Sequence, residues 1–188
     1  MVQVFCILTL LVVMMIVTSI IKNKCIWQKR RWLMWCIFTI YALGNLYFTL
    51  ASRAPDSGQY LKLQPFHSYG RLFERGTVDE ATATGFAALF LKDTTLLVGI
   101  ILNILLYYPL GYLLPILFPK LKPKHVILIG CLCSIATEAT QYLLKMGWCE
   151  TDDVIHNTLG TAIGVWVWMW QSKRLNAQRN ANPGKGET

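Results

Sequence analysis

The sequence predicts an all-α membrane protein, a helical bundle of about five transmembrane helices with one or two interfacial helices in a long outer loop. The chain has 188 residues, of which 54% are hydrophobic and only 15% are charged, whereas a soluble domain carries about a quarter charged residues. The apolar residues form long blocks, and the formal net charge is +8. These observations exclude a disordered tail, a small disulfide scaffold and an ordinary soluble enzyme.

Several stretches are long and apolar enough to cross a bilayer, which requires about 20 residues. They are residues 2–21, 32–51, 94–118, 126–144 and 154–170. The loop at 52–93 contains apolar clusters that are too short to span, including Leu61 to Phe66 and Phe86 to Phe90. We expect these clusters to form one or two helices that lie in the outer interface or dip into the protein. Residues 1–21 are thus predicted to form the first span, and residues 171–188 a cytoplasmic tail.

The positive charge is unevenly distributed, and this predicts the orientation. Twelve of the 18 basic residues lie in residues 22–31, residues 119–125 and the C-terminal tail. Because cytoplasmic loops of membrane proteins are enriched in Lys and Arg, we expect a multi-pass cell-membrane protein with its N-terminus outside and its C-terminus inside. The basic loops are too short to build a nucleic-acid surface. We therefore expect no nucleic-acid partner. The cysteine and histidine spacings match no metal motif, and we expect neither a metal nor a cofactor.

Polar residues inside the apolar spans are the candidates for function, because they are costly in lipid. Glu138 and Gln141 share one face of the fourth span, and a matching stripe on the fifth includes Asp153 and Asn157. Antiparallel pairing of these spans predicts Gln141 near Asp153 and Glu138 near Asn157. The expected ligand-binding residues are Arg53, Asn103, Glu138, Gln141, Asp152, Asp153, His156 and Asn157. The expected helix-packing residues are Gly130, Ser134, Gly160 and Gly164, with Gly160 and Gly164 at the spacing that allows close helix approach.

Alternative roles remain open for these side chains. Glu138 would have a purely structural role if its hydrogen bonds only fixed the register between helices. Asp152 and Asp153 would have one if they only capped the start of the fifth helix. Glu138, Asp153 and His156 are also the candidates for acid/base catalysis, although neither an activated nucleophile nor a metal motif accompanies them in the sequence. Arg53 would be an anchor at the membrane boundary.

The ordered motifs resemble the VanZ-like membrane protein family over about residues 47–164. They are Thr49–Arg53 (TLASR), Leu63–Tyr69 (LQPFHSY), Asn103–Gly111 (NILLYYPLG), Glu138–Gln141 (EATQ) and Gly147–Gly160 (GWCETDDVIHNTLG). In the family an Arg usually stands just before or at the glycine of the last motif. Here Met146 and Trp148 flank Gly147, and Lys145 is the nearest cation. A lysine does not reproduce the bidentate geometry of a guanidinium.

The resemblance implies a link to resistance against glycopeptide antibiotics, chiefly teicoplanin, because the namesake of the family has that link. Together with the polar residues in the outer half of the spans, it suggests binding of an amphiphile in the outer leaflet. The candidates are membrane lipids, a lipid-linked cell-wall precursor and a lipoglycopeptide. The alternatives are a scaffold that contacts envelope proteins and an intramembrane acid/base enzyme that acts on an envelope lipid. The oligomeric state stays open.

Overall fold

The described part of the protein is predominantly helical, as predicted. The computed structural model describes residues 31–51, 58–66, 69 and 94–181. The elements in these ranges are α1 (Arg31–Leu46), a π-helical turn (Tyr47–Ala51), β1 (Gly58–Lys62), α2 (Thr94–Leu117), α3 (Pro123–Leu143), β2 (Met146–Glu150) and α4 (Thr151–Ala181).

Three helices in the described ranges are long and apolar enough to cross a membrane. They are Trp32–Leu50, Leu96–Leu117 and Pro123–Leu143, and they correspond to the predicted second, third and fourth spans. The predicted fifth span, residues 154–170, lies within the longer helix α4, which is not among these three. The predicted first span lies outside the described residues. The count of five spans therefore stays a prediction.

Large apolar side chains cover the outer surface of these helices. Ile40 on α1 is 70% exposed, and Leu128 and Leu132 on α3 are 54% and 56% exposed. A soluble protein rarely exposes apolar patches of this kind, whereas a bilayer solvates them. The three apolar helices and their exposed side chains together indicate a membrane protein.

Helices α2 and α4 form the most extensive contact between described elements. A Cβ at Gly160 would overlap the backbone carbonyl of Ile104, and one at Gly164 would overlap the carbonyl of Tyr108. Close approach therefore depends on the absence of side chains at these two positions. The sequence correctly indicates that a helix approaches the two glycines, but the expected partner was α3, and the helix in contact is α2.

The two strands form a small parallel sheet. Gly58 pairs with Met146 and Lys62 pairs with Glu150, and the connection between the strands includes α2 and α3. The prediction of an interfacial helix is wrong for residues 58–66, which form β1 and a turn. The reason is that the backbone of β1 bonds to a distant strand, which local patterning does not reveal. The second apolar cluster, Phe86 to Phe90, lies outside the described residues.

Candidate functional site

One face of α3 carries polar side chains into the protein interior. Ser134, Glu138 and Gln141 are at most 3% exposed, and together with Gly130 they occupy one buried face of the helix. Their spacing of three and four residues places successive side chains one turn apart. The polar stripe expected from the sequence thus lies on the buried side of α3.

The first turns of α4 present a second polar face. Asp152, His156 and Asn157 are 3–4% exposed, and Asp153 is half-buried. These side chains meet groups from α2, α3 and the β1 region. We call the resulting group of residues the polar end of the bundle: Asn103, Ser134, Glu138, Gln141, Asp152, Asp153, His156 and Asn157.

The two polar faces pair one turn away from the expected register. Asn157 Nδ2 donates to Ser134 Oγ at 2.8 Å, whereas the sequence predicted Asn157 beside Glu138. Gln141 Nε2 donates to the carbonyl of Thr49 at 2.8 Å, whereas Asp153 was its expected neighbour. Strand β2 forms the connection between α3 and α4, and α4 begins at Thr151 rather than at residue 154, which the apolar pattern of the spans does not reveal.

Strand β2 and helix α2 supply donors to the carboxylates of the polar end. The backbone N–H of Glu150 donates to Glu138 Oε2 at 3.1 Å. Asn103 Nδ2 donates to Asp153 Oδ1 at 2.7 Å. Each carboxylate is thereby oriented by a group from another element, which is what a preorganised binding site requires.

Cys149 lies close to both of these carboxylates. Burial raises the pKa of its thiol, and the negative charges of Glu138 and Asp153 raise it further. The thiol therefore stays protonated at neutral pH. Because the thiolate is the reactive form of cysteine, Cys149 is unsuited to act as a nucleophile.

Lys62, Leu63 and Phe66 connect the β1 region to residues 150–152, where strand β2 ends and α4 begins. Lys62 Nζ lies 3.2 Å from Glu150 Oε1, and Thr151 Oγ1 donates to the carbonyl of Leu63 at 3.2 Å. The N–H of Phe66, which has a φ of 63°, donates to Asp152 Oδ1 at 2.5 Å. Asp152 lies in the first turn of α4, and its carboxylate also accepts a hydrogen bond from the backbone of Phe66, which follows β1 in the chain.

Tyr69 makes a further contact of the same kind. Its hydroxyl lies 2.8 Å from His156 Nε2. Burial raises the pKa of the Tyr69 phenol, and the nearby carboxylate of Asp152 raises it further. Tyr69 is thus a neutral phenol at physiological pH, and its O–H can donate to the imidazole.

The three catalytic candidates contact different partners. Glu138 accepts from the N–H of Glu150, Asp153 accepts from Asn103, and His156 meets Tyr69. Among the described residues no group of three or more His, Cys, Asp or Glu side chains is arranged to hold a metal ion.

Of the two cations that the sequence analysis considered, Lys145 is among the described residues and Arg53 lies outside them. Lys145 is exposed and has a φ of 54° in the turn that ends α3, where its N–H donates to the carbonyl of Tyr142 at 3.2 Å. Its backbone closes the helix, and its side chain is exposed.

Thr161 is a packing residue that the sequence analysis missed. It is fully buried, and a Cβ added at Gly111 or Gly130 would collide with its atoms. Thr161 therefore holds α4 against both α2 and α3. Tyr69 was also missed as a contact of the polar end, through His156. Tyr69 belongs to the sequence motif Leu63–Tyr69, and this is the sequence signal that could have identified it as a contact.

A family model described as VanZ/LLP1 matches residues 32–172. No curated protein and no solved structure matches the sequence. The match covers three quarters of the chain, includes every residue of the polar end, and confirms the resemblance that the ordered motifs indicated. The chain belongs to the VanZ/LLP1 family.

Proposed function

We propose that this protein binds the headgroup of an amphiphile at the polar end of its bundle. The observation that carries the proposal is the convergence of eight polar side chains from three helices at one end of a bundle whose outer surface is apolar. An apolar outer surface supports the proposal, because a bundle embedded in lipid by that surface would bring its polar end close to the headgroup of a membrane lipid or of a lipoglycopeptide.

The energetics favour a functional role over structure alone. Burying a polar group without compensation costs about 1–3 kcal/mol, and hydrogen bonds between membrane helices recover about 0.6 kcal/mol on average. A bundle that needed only packing would use small apolar residues at Ser134, Glu138, Gln141 and Asn157. The presence of polar side chains at these four buried positions supports a role in binding.

The proposed location is the outer leaflet of the cell membrane, with the N-terminus outside and the C-terminus in the cytoplasm. The support is the charge distribution, since the basic segments lie at the opposite end of the predicted spans from Glu138 and Asp153. The proposed ligands are a membrane lipid, a lipid-linked cell-wall precursor and a lipoglycopeptide, and binding contributes to teicoplanin-type resistance.

Antibiotic susceptibility tests this proposal. Cells that express the wild-type chain should tolerate more teicoplanin than cells with an empty vector, and Glu138→Gln or Asn157→Ala should abolish the difference at equal protein level. Thr158→Ala is the matched control, because the Thr158 hydroxyl bonds to the carbonyl of Val154 in its own helix at 2.7 Å. Unchanged susceptibility in the Glu138 and Asn157 variants would contradict the proposal.

The two alternatives draw less support from the contacts. A scaffold that binds a partner through Gly160 and Gly164 is disfavoured, because α2 of the same chain covers both glycines. An acid/base enzyme would use Glu138 and His156 as a pair, and the hydrogen bonds described above, with the N–H of Glu150 and the hydroxyl of Tyr69, give that pair no direct support.

A further inference from the structure

Two amide side chains of the polar end each keep one buried oxygen without a donor. Among the described residues, Gln141 Oε1 and Asn157 Oδ1 are buried atoms with no hydrogen-bond partner. Their NH2 groups are already used, by the carbonyl of Thr49 and by Ser134 Oγ. Since an unsatisfied buried acceptor costs about 1–3 kcal/mol, these oxygens call for a donor that the described protein does not supply.

Both oxygens belong to residues on, or bonded to, the buried face of α3 that carries Glu138. Along the axis of α3, Glu138 is about 6 Å from Ser134, the partner of Asn157, and about 4.5 Å from Gln141. Glu138 therefore lies between Ser134 and Gln141 on this face, about one helical turn from each. A ligand group at Glu138 is within reach of Asn157 on one side or Gln141 on the other.

The electrostatic environment favours a cation as the donor. Glu138 shares the buried face of α3 with Gln141, and the negative charges of Glu138 and Asp153 both raise the pKa of the Cys149 thiol. Acceptor oxygens with carboxylates beside them produce a negative potential, and this potential is stronger in the poorly screened interior than in water. A primary ammonium has three N–H donors and no acceptor, which matches this set.

We propose that the polar end selects a ligand with a protonated primary amine, whose N–H groups donate to Asn157 Oδ1 and to Glu138. Gln141 Oε1 offers a further acceptor one turn along α3. The proposal rests on the proposed function and specifies the ligand class. The ammonium has two sources, the headgroup of a lipid such as phosphatidylethanolamine or a free alkylammonium ion.

Nanodiscs with defined lipids test the preference. Phosphatidylethanolamine is titrated into phosphatidylcholine nanodiscs that hold the full chain, and the melting temperature is followed. Phosphatidylcholine carries the same charges as phosphatidylethanolamine but has no N–H group. The comparison therefore distinguishes hydrogen-bond donation by the headgroup from the effect of its charge. We expect a saturable rise in melting temperature for the wild type and for Thr158→Ala. Asn157→Ala should weaken the apparent affinity roughly 10-fold to 150-fold, the value of a hydrogen bond to a charged group.

Soluble ions distinguish the two sources. Methylammonium chloride that stabilises the protein in pure phosphatidylcholine nanodiscs would identify a free ammonium as the ligand, and an effect of phosphatidylethanolamine alone would identify a lipid. An equal effect of sodium chloride, no effect of either amine, or unchanged affinity in Asn157→Ala would overturn the proposal. In those cases an intact effect of Glu138→Gln on teicoplanin susceptibility would leave the proposed function standing with a different ligand.

Discussion

Replacement of Gly160 by alanine should separate the helices α2 and α4. A Cβ at this position would overlap the carbonyl oxygen of Ile104 and would lie 2.9 Å from its carbon and 3.0 Å from its Cα. Carbon atoms in contact prefer about 3.5–4.0 Å, and backbone atoms cannot rotate away as a flexible side chain can. The helices must therefore move apart at the point where they pack most extensively.

The expected cost follows from overpacking. Forcing an extra methyl group into a packed core costs about 1–3 kcal/mol. The matched control is Gly99→Ala on α2, where a Cβ would meet nothing within 4 Å. This control should be neutral or stabilise by up to about 1 kcal/mol, since alanine favours helix more than glycine does. The two variants should thus differ by about 1–4 kcal/mol.

Thermal unfolding in detergent, followed by circular dichroism, measures this difference. For a chain of this size a change of 1–3 kcal/mol corresponds to a drop of roughly 2–12 °C. Gly44→Ala on α1 provides a second control, because its surroundings are also open. Equal melting temperatures for the Gly160 and Gly99 variants would refute the packing argument. Loss of association with another protein at unchanged stability would favour the scaffold hypothesis.

Three further predictions follow from the polar end and its turns. Lys145→Gly should stabilise the protein by about 0.5–1 kcal/mol in chemical unfolding, since the left-handed backbone of Lys145 suits glycine; a destabilised variant would contradict the turn. The raised pKa of Tyr69 means that its contribution to stability is complete below about pH 10 and is lost as the pH rises through the folded-state pKa. A melting-temperature profile should therefore fall more steeply above pH 10 in the wild type than in Tyr69→Phe, and parallel profiles would contradict this. Glu150→Gln should cost less than about 1 kcal/mol, because its ion pair with Lys62 is partly exposed, and a larger loss of melting temperature would show that the pair matters more.

Periodicity explains which parts of the site the sequence could predict. The polar face of α3 is visible because Ser134, Glu138 and Gln141 recur at helical spacing within an apolar helix, so their common direction depends only on local geometry. The same holds for the close approach at Gly160 and Gly164, since small residues at this spacing allow contact. The sequence does not reveal which helix packs against these glycines, because small residues allow close approach by any helix.

Long-range pairing explains what the sequence could not predict. The strands β1 and β2 are separated by more than 80 residues, and a parallel pair with a long crossover leaves no turn signal between them. The one-turn shift of Asn157 from Glu138 to Ser134 depends on β2, so it was hidden for the same reason. The contacts of Phe66 and Tyr69 with α4 were not predicted either, because they depend on the pairing of β1 with β2.

Native mass spectrometry of the purified chain tests the central claim, the binding of an amphiphile at the polar end, most directly. The protein is extracted in a mild detergent, and the masses of the lipids that remain bound are compared between the wild type, Asn157→Ala and Thr158→Ala. We expect a defined lipid adduct on the wild type and on Thr158→Ala, and its loss from Asn157→Ala. A wild-type chain without an adduct, or an equal adduct on Asn157→Ala, would contradict the account.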